Sequence, residues 1–256
     1  MGEKRYWQWI LEPTERFCCL GKTGILPAQR QRDRDRVAIR KVALTGRFPM
    51  QDLACQVIGG GEAKGICGSG LISALSQLVR IGVIDESGYI RNAKELRRMG
   101  VPVRICQRVR EDGEAGERRI LLSGEVLQKP VFLTASDIRQ LQLAKGAIRA
   151  GIETLLQKAK IPAKELWRIY LTGSFGNSLS AEDVTGIGLL PETEKEKITS
   201  VSSCAGMGAA MALLSGQVQR KMEEDAEKIC HVELAGEPDF QERFLKEMNF
   251  PGNEVH

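Results

Sequence analysis

Two glycine-rich turns lie far apart in this chain and follow the same plan. Residues 64–71 (KGICGSGL) lead into a run with helical periodicity, and residues 170–177 (YLTGSFGN) follow a short apolar strand. Because glycine has no Cβ, the backbone N–H groups of such turns can approach an anion or a nucleotide closely. The second turn is followed by Asp183-Val-Thr-Gly186 and then by small residues at 205–210 (AGMGAA). This order predicts a nucleotide-binding half-domain.

The composition is typical of a folded domain with an aliphatic core. Of the 256 residues, 42% are apolar, 27% are charged and 5% are aromatic. No segment reaches the roughly 18 consecutive apolar residues that a membrane span requires, and the N-terminus has no apolar signal region. We therefore expect a cytoplasmic protein without a membrane partner.

The positive charge is concentrated at one end of the chain. The first 41 residues hold ten Lys or Arg against five Asp or Glu, a surplus of five, so with a total of +4 the remaining chain carries a net charge of −1. A nucleic-acid-binding surface would usually extend over the folded domain. We therefore expect no nucleic-acid partner.

The seven cysteines have no spacing typical of a disulfide framework or a metal site. Their number is odd, and none of them forms a Cys-x-x-Cys pair. Structural zinc and iron–sulfur sites usually draw on such closely spaced pairs. We expect reduced, mostly buried thiols and no metal-binding residue in this chain.

Two regions of the chain differ in character. Residues 1–36 have no hydrophobic period and end in a charged run, so we expect an atypical, poorly ordered segment. Residues 37–250 alternate between strand and helix patterns, which indicates an α/β or α+β layered domain. Predicted strands lie at 37–44, 53–58, 101–109, 119–122, 131–133, 167–171, 198–201 and 231–234. Predicted helices lie at 69–81, 134–160, 178–184, 203–224 and 239–248.

Side chains at two predicted helix starts are suited to capping. Ser69 is the predicted N-cap of the first helix, and Thr134 with Asp137 predicts a capping box on the longest helix. An apolar stripe predicts the buried face of that longest helix, and its polar positions 139, 142, 145 and 149 are placed away from it.

The order of apolar strand, glycine turn, Asp-Val-Thr-Gly and small-residue helix resembles the second half of an ATPase of the acetate and sugar kinase, heat-shock and actin (ASKHA) superfamily. This resemblance implies an α/β, ribonuclease H-like half with a mixed β-sheet flanked by long helices. It also implies that the second turn contacts the adenosine of ATP. The implied binding residues are Gly173, Ser174, Phe175, Gly176 and Asn177, with a second contact from Gly68, Ser69 and Gly70. The small-residue run at 205–210 corresponds to an interdomain connecting helix, packed closely against another element.

A closer resemblance rests on several motifs in the same order. Segments 64–72, 133–138 and 142–148, together with 171–177 and 187–191 (IGLLP), resemble the C-terminal domain of the reductive activators of corrinoid proteins. The resemblance spans residues 37–250. It implies that ATP, bound with Mg²⁺ in a complete protein, is coupled to reduction of a cobalt(II) corrinoid to cobalt(I). The implied partner is a corrinoid protein or its methyltransferase, and a homodimer is a further candidate.

The sequence departs from the pattern of a complete activator in two respects. It contains neither of the two Asp-x-Gly-Thr-like phosphate loops of an ASKHA ATPase, and it lacks the cysteines of the two-iron two-sulfur cluster. We therefore expect a C-terminal fragment or a shortened reading frame, with the iron–sulfur cluster only in the missing N-terminal domain. No catalytic residue is assigned, and whether the chain hydrolyses ATP stays open.

Three functions remain under consideration. The first is the adenosine-binding and partner-docking part of an ATP-dependent reductive activator. The second is a non-catalytic interaction or dimerisation module that retains the ASKHA fold without ATPase activity. The third, a relative of sugar or acyl kinases, is weaker because no catalytic base can be placed beside a phosphate loop.

Overall fold

The computed structural model describes residues 38–112, 117–124 and 130–252. The predicted poorly ordered segment 1–36 lies outside these ranges. The strands are β1 Ala38–Thr45, β2 Asp52–Val57, β3 Gly65–Ile66, β4 Val109–Asp112, β5 Glu117–Ser123, β6 Val131–Thr134, β7 Ile169–Leu171 and β8 Ile198–Ser200. The helices are α1 Gly68–Arg80, α2 Ala93–Arg98, α3 Val103–Cys106, α4 Ala135–Ala159, α5 Gly173–Gly176, α6 Ala181–Gly186, α7 Cys204–Leu214, α8 Gly216–Ala226 and α9 Phe240–Lys246.

The mixed α/β character is confirmed, and the described strands are divided among three small sheets. Their strand orders are β2-β1-β3, β4-β5-β6 and β7-β8. The first sheet is itself mixed, because β1 pairs antiparallel with β2 and parallel with β3. The second sheet is antiparallel, and the third is a parallel pair.

Helix α1 is the central buried helix of the described fold. Its apolar residues recur at helical spacing, and eleven of its thirteen residues are buried. Ser73 fixes the helix to the first sheet, because its hydroxyl accepts from the Val42 N–H at 3.2 Å and donates to the Val42 carbonyl at 3.0 Å. Gly82, with a φ of 72°, follows the helix and ends it as the sequence predicts.

The start of α1 differs from the prediction. Its N-cap is Cys67, without a side-chain capping bond, and not Ser69. The Ser69 hydroxyl donates instead to the Arg40 carbonyl at 3.2 Å. The pairing of β1 with β2 shifts register between Ile39 and Lys41, so Arg40 lies at an irregularity of the ladder. The Ser69 side chain therefore bonds β1 and does not cap its own helix.

The hairpin β4–β5 and strand β6 form the second sheet, with one error in the predicted boundaries. The predicted strand 101–109 is wrong over most of its length, because Val103–Cys106 is a short helix after Pro102. Val101 and Ile105, four residues apart, both turn into the core. An apolar run this short fits one helical turn as well as it fits a strand.

Arg108 joins the first and second sheets. Its guanidinium contacts the Asp52 carboxylate at 2.6 and 3.0 Å and also donates to the carbonyls of Leu53, Leu121 and Leu122. These bonds use all five of its N–H donors. Burial raises the pKa of the Asp52 carboxyl, but the hydrogen bonds from Arg108 and from the Leu53 N–H outweigh burial and hold that pKa below its usual value.

Helix α4 is the longest helix, and its predicted start is confirmed. The Thr134 hydroxyl accepts from the Asp137 N–H, and the Asp137 carboxylate accepts from the Thr134 N–H, so the capping box is complete. The helix ends at Lys160, a left-handed residue with a φ of 56°. Pro162 follows two residues later, in an extended conformation.

The apolar stripe of α4 predicts that its polar positions lie away from the core, but two of them are buried. Gln142 and Lys145 are buried, and each donates to backbone carbonyls. The Lys145 ammonium contacts the carbonyls of Glu247 and Asn249, with its Nζ 5.7 Å from the centre of the Phe250 ring. Burial lowers the pKa of Lys145 to about 8. The chain after α9 is thereby held against α4.

The C-terminal helices also differ from the prediction. The single helix predicted at 203–224 is divided at Ser215, which has an extended backbone and whose hydroxyl caps α8 through the Val218 N–H. The strand predicted at 231–234 is wrong: residues 231–233 are irregular, and a short 3₁₀ helix runs from Leu234 to Gly236. The last predicted helix is confirmed as α9.

The small-residue helix α7 is exposed, and not packed closely as predicted. None of its residues is buried, and Leu213 and Leu214 are 89% and 87% exposed. Nearly every side chain of α7 is apolar, which is typical of a helix covered on several sides. Among the described residues, only α8 packs extensively against it.

Replacing Lys145 by Met should flatten the pH dependence of stability between about pH 8 and 10.5. Below pH 8 the native and unfolded states both carry the lysine proton. Between pH 8 and 10.5 the native state releases it first, because its pKa is lowered, so the stability of the original protein should rise by at most about 1.4 kcal/mol per pH unit relative to Lys145→Met.

Urea unfolding at stepped pH measures this difference. Lys94→Met, at an exposed position of α2, is the matched control and should follow the original protein. If the stability of the original protein and that of Lys145→Met changed in parallel with pH, the lowered pKa of Lys145 would be contradicted.

Candidate functional site

The candidate site lies where the two parallel strands of the third sheet end. Strands β7 and β8 pair in register, Ile169 with Ile198 and Leu171 with Ser200, so their carboxyl ends lie together. The predicted adenosine turn follows β7 at once, and the loop into α7 follows β8. The Val201 N–H extends the pairing by donating to the Leu171 carbonyl at 2.8 Å. In open α/β sheets, ligands bind at such carboxyl edges.

The predicted turn is a single helical turn, α5, that starts from a left-handed glycine. Gly173 has a φ of 82°, and a Cβ placed on it would meet nothing within 4 Å. An L-residue with a side chain is strained at this φ, so the backbone shape itself requires glycine. The open side of Gly173 therefore leaves space for a ligand to approach the main chain.

The remaining residues of this turn have different surroundings. A Cβ on Gly176 would only touch Leu171 at ordinary contact distance, 3.4 Å. Asn177 is exposed, and within the described part of the chain its side chain has no hydrogen-bond partner. The side chain of Ser174 is outside the described part. Asn177 is thus an exposed polar residue at the end of the helical turn that Gly173 starts.

The structure brings the two glycine motifs into contact. A Cβ on Gly68, the first residue of α1, would lie 2.5 Å from Cε2 of Phe175. The Phe175 ring is half-buried and packs against the core. The two turns, far apart in the sequence, therefore border one site.

The other residues of the first motif face the sheet. A Cβ on Gly70 would lie 2.0 Å from the Ile39 carbonyl oxygen, so only glycine allows α1 to approach β1 this closely. Ser69 is buried and bonds the Arg40 carbonyl. Both residues have a packing role, and their contact with a nucleotide stays a prediction.

The Asp-Val-Thr-Gly segment has structural tasks as well. Asp183 is buried and bonds the hydroxyl of Ser180, the N-cap of α6, at 2.6 Å. A Cβ on Gly186 would lie 2.3 Å from the Ser76 hydroxyl, so this glycine lets α6 pack on α1. Helix α6 thus packs on α1, the helix whose first residue, Gly68, borders the site.

Sequence reasoning did not include the start of α7 among the site residues. The Cys204 N–H donates to the Thr172 hydroxyl at 3.4 Å, which ties this helix start to the turn before Gly173. Ser203 has a φ of 52°, unusual for a residue other than glycine. Ser203-Cys204 before an apolar helix is a start signal in the sequence, but its nearness to Thr172 arises only from the pairing of β7 with β8.

The described residues suit one part of an ATP site better than the other. The open backbone at Gly173 and the free Asn177 amide fit a nucleoside, which needs close approach and a polar contact. Mg²⁺ needs carboxylate oxygens, and no cluster of three or more His, Cys, Asp or Glu residues suited to a metal occurs among the described residues.

Comparison with known proteins identifies the class to which this fold and site belong. Residues 34–256 match the model of the C-terminal domain of RACo, the ASKHA domain. The chain belongs to this family, and the predicted ASKHA fold is thereby confirmed.

Three relatives make the relationship more specific. The corrinoid activation enzyme RamQ of Eubacterium limosum is 31% identical over 204 residues, 77% of this chain and 33% of that protein. The [Co(II) methylated amine-specific corrinoid protein] reductase of Methanosarcina barkeri is 24% identical over 193 residues, 75% of this chain and 30% of that protein. A solved reductive activator for a corrinoid, iron–sulfur protein superposes with a TM-score of 0.69 and 33% identity, over 86% of this chain and 33% of that one.

The match is partial from the relatives' side. The chain spans about a third of the length of each of these proteins. Within the described residues no helix is both long and apolar enough to cross a lipid bilayer.

Proposed function

We propose that this chain is the adenosine-binding and partner-docking part of an ATP-dependent reductive activator of corrinoid proteins. In this role it supports reduction of a cobalt(II) corrinoid to cobalt(I) by a cytoplasmic assembly. The partner is a corrinoid protein or its methyltransferase, and the remaining two thirds of the activator supply the phosphate loops and the iron–sulfur cluster.

The observation that carries this proposal is the open, left-handed Gly173 at the carboxyl end of β7. The proposed binding residues are Gly173, Ser174, Phe175, Gly176 and Asn177, supported by Gly68, Ser69 and Gly70. The names of the relatives add the substrate class, since two of them are corrinoid activators and a third is a reductase of a cobalt(II) corrinoid protein. ATP, when bound, supplies the free energy of hydrolysis, and this chain's residues bind and orient its nucleoside.

Gly173→Val should abolish nucleotide binding without a matching loss of structure. The valine side chain would occupy the open space in front of the turn and keep a nucleoside from the backbone. We expect calorimetry to detect no binding of ATP or ADP by this variant.

Gly100→Val is the matched control for this variant. Gly100 also has a positive φ, 76°, and open space where a Cβ would be, but it follows α2 in another part of the chain. Both variants should lose about 1–3 kcal/mol of stability from backbone strain. Only Gly173→Val should also lose nucleotide binding. Equal nucleotide binding by both variants would show that the turn has a structural role only.

The isolated chain should hydrolyse ATP at a negligible rate. Phosphoryl transfer depends on groups that hold Mg²⁺ and on an oriented nucleophile at the γ-phosphate. The sequence has no phosphate loop, and the described residues have no carboxylate cluster to replace one. A coupled assay for ADP release measures the rate, and robust magnesium-dependent turnover by the pure protein would refute the prediction.

A non-catalytic interaction or dimerisation module that retains the ASKHA fold without ATPase activity is the alternative proposal, and the exposed side chains of α7 favour dimerisation. Met207, Met211, Leu213 and Leu214 are all more than half exposed on a helix with almost no polar side chain. Exposed apolar side chains concentrated on one helix are typical of an interface. In a homodimer, α7 of a second copy would cover it by the same residues on both sides.

Sedimentation over a range of concentrations tests this alternative. The original chain should form a dimer, and the double variant Leu213→Ser, Leu214→Ser should be monomeric. Leu245→Ser, at an exposed apolar position on α9, is the control and should still dimerise. A chain that remains monomeric at every concentration would contradict the alternative.

A further inference from the structure

We infer that Gly68 is a positioning residue for nucleotide binding, which acts through the ring of Phe175 on the turn at Gly173. The inference rests on the proposed function and extends it, because it explains how the first glycine motif can control the geometry of the second. It is carried by one contact, in which a Cβ on Gly68 would lie 2.5, 3.2 and 3.4 Å from Cε2, Cδ2 and Cζ of Phe175.

The Gly68 side of this contact cannot move. The Cys67 N–H bonds the Ile39 carbonyl at 3.1 Å, and Ser69 bonds the Arg40 carbonyl at 3.2 Å. Gly70 already lies so close to the Ile39 carbonyl that it has no room for a Cβ. The start of α1 is therefore fixed on β1 by the residues on both sides of Gly68.

The Phe175 side of the contact is held less firmly than the Gly68 side. It belongs to α5, a single turn that is closed by bonds from the Asn177 N–H to the Gly173 carbonyl and from the Ser178 N–H to the Phe175 carbonyl, each of 3.0 Å. A four-residue helix has little stability of its own. A methyl group on Gly68 would therefore displace the ring and, with it, the backbone that starts at Gly173.

The expected consequence is a loss of nucleotide affinity without loss of the fold. Gly68→Ala adds one methyl group against the Phe175 ring. We expect the affinity for ADP to fall about tenfold, because the N–H groups and the Asn177 amide are carried by the displaced turn.

Two glycine-to-alanine controls separate this effect from others. Gly65→Ala lies three residues earlier in the same motif, where a Cβ would meet nothing within 4 Å. Gly146→Ala produces a comparable clash elsewhere, since its Cβ would lie 2.9 Å from Cγ of Met248. The first control should leave both stability and affinity unchanged, and the second should lower stability and leave affinity unchanged.

A double-mutant cycle with Phe175→Val tests whether the ring transmits the effect. Valine lacks the ring atoms that a Cβ on Gly68 would meet. Phe175 is itself a proposed binding residue, so Phe175→Val alone should bind ADP more weakly and each effect of Gly68→Ala is measured relative to its own background. Calorimetry with ADP on the full chain should show a tenfold loss for Gly68→Ala in the original background and less than a twofold change when the same substitution is made in Phe175→Val.

The outcomes distinguish this inference from the function on which it rests. If the original chain binds ADP and Gly68→Ala binds it equally well, the positioning role is refuted and the proposed function stands. An equal loss in both backgrounds shows that Gly68 acts without Phe175, which also refutes the inference. If the original chain does not bind ADP at all, the proposed function fails and the positioning role falls with it.

Discussion

The close approach of α1 to β1 is the constraint on which the candidate site depends. The helix backbone at Gly70 lies so close to the Ile39 carbonyl that no Cβ would fit between them. The hydroxyls of Ser69 and Ser73 add hydrogen bonds to carbonyls of β1. The position of the helix start then determines where the Phe175 ring can lie. The geometry of the turn at Gly173 is therefore coupled to the packing of a different sheet.

A second set of contacts is made by charged side chains of α4, at positions where aliphatic side chains would be expected. Lys145 and Arg149 donate to backbone carbonyls in the segments 247–249 and 187–191. Gly146 and Gly188 allow the approach, because a Cβ on either would lie about 3 Å or less from Met248 or Pro251. The motif residues of α4 thus hold irregular segments whose carbonyls have no ladder partner, which satisfies buried polar groups.

Periodicity and capping signals predicted the long elements, and tertiary contacts decided the rest. The helical periodicity after the first glycine turn and the Thr134–Asp137 box are local patterns, so they were readable from the sequence. The burial of Lys145 was not, because a lysine is usually placed in solvent and its acceptor carbonyls belong to a distant segment. The same holds for the site: the glycine turns were found from their composition, whereas the contact of Gly68 with Phe175 and the start of α7 beside Thr172 depend on strand pairing.

The clamp made by Arg108 bears on how the described fold opens. One guanidinium bonds a carboxylate on β2 and carbonyls on β2 and β5, so separating the hairpin from the first sheet would break several of these bonds at the same moment. Separating the two sheets therefore costs the free energy of several hydrogen bonds at once and cannot occur in small steps. The two sheets therefore form a single cooperative unit, and their amide protons should exchange with solvent together.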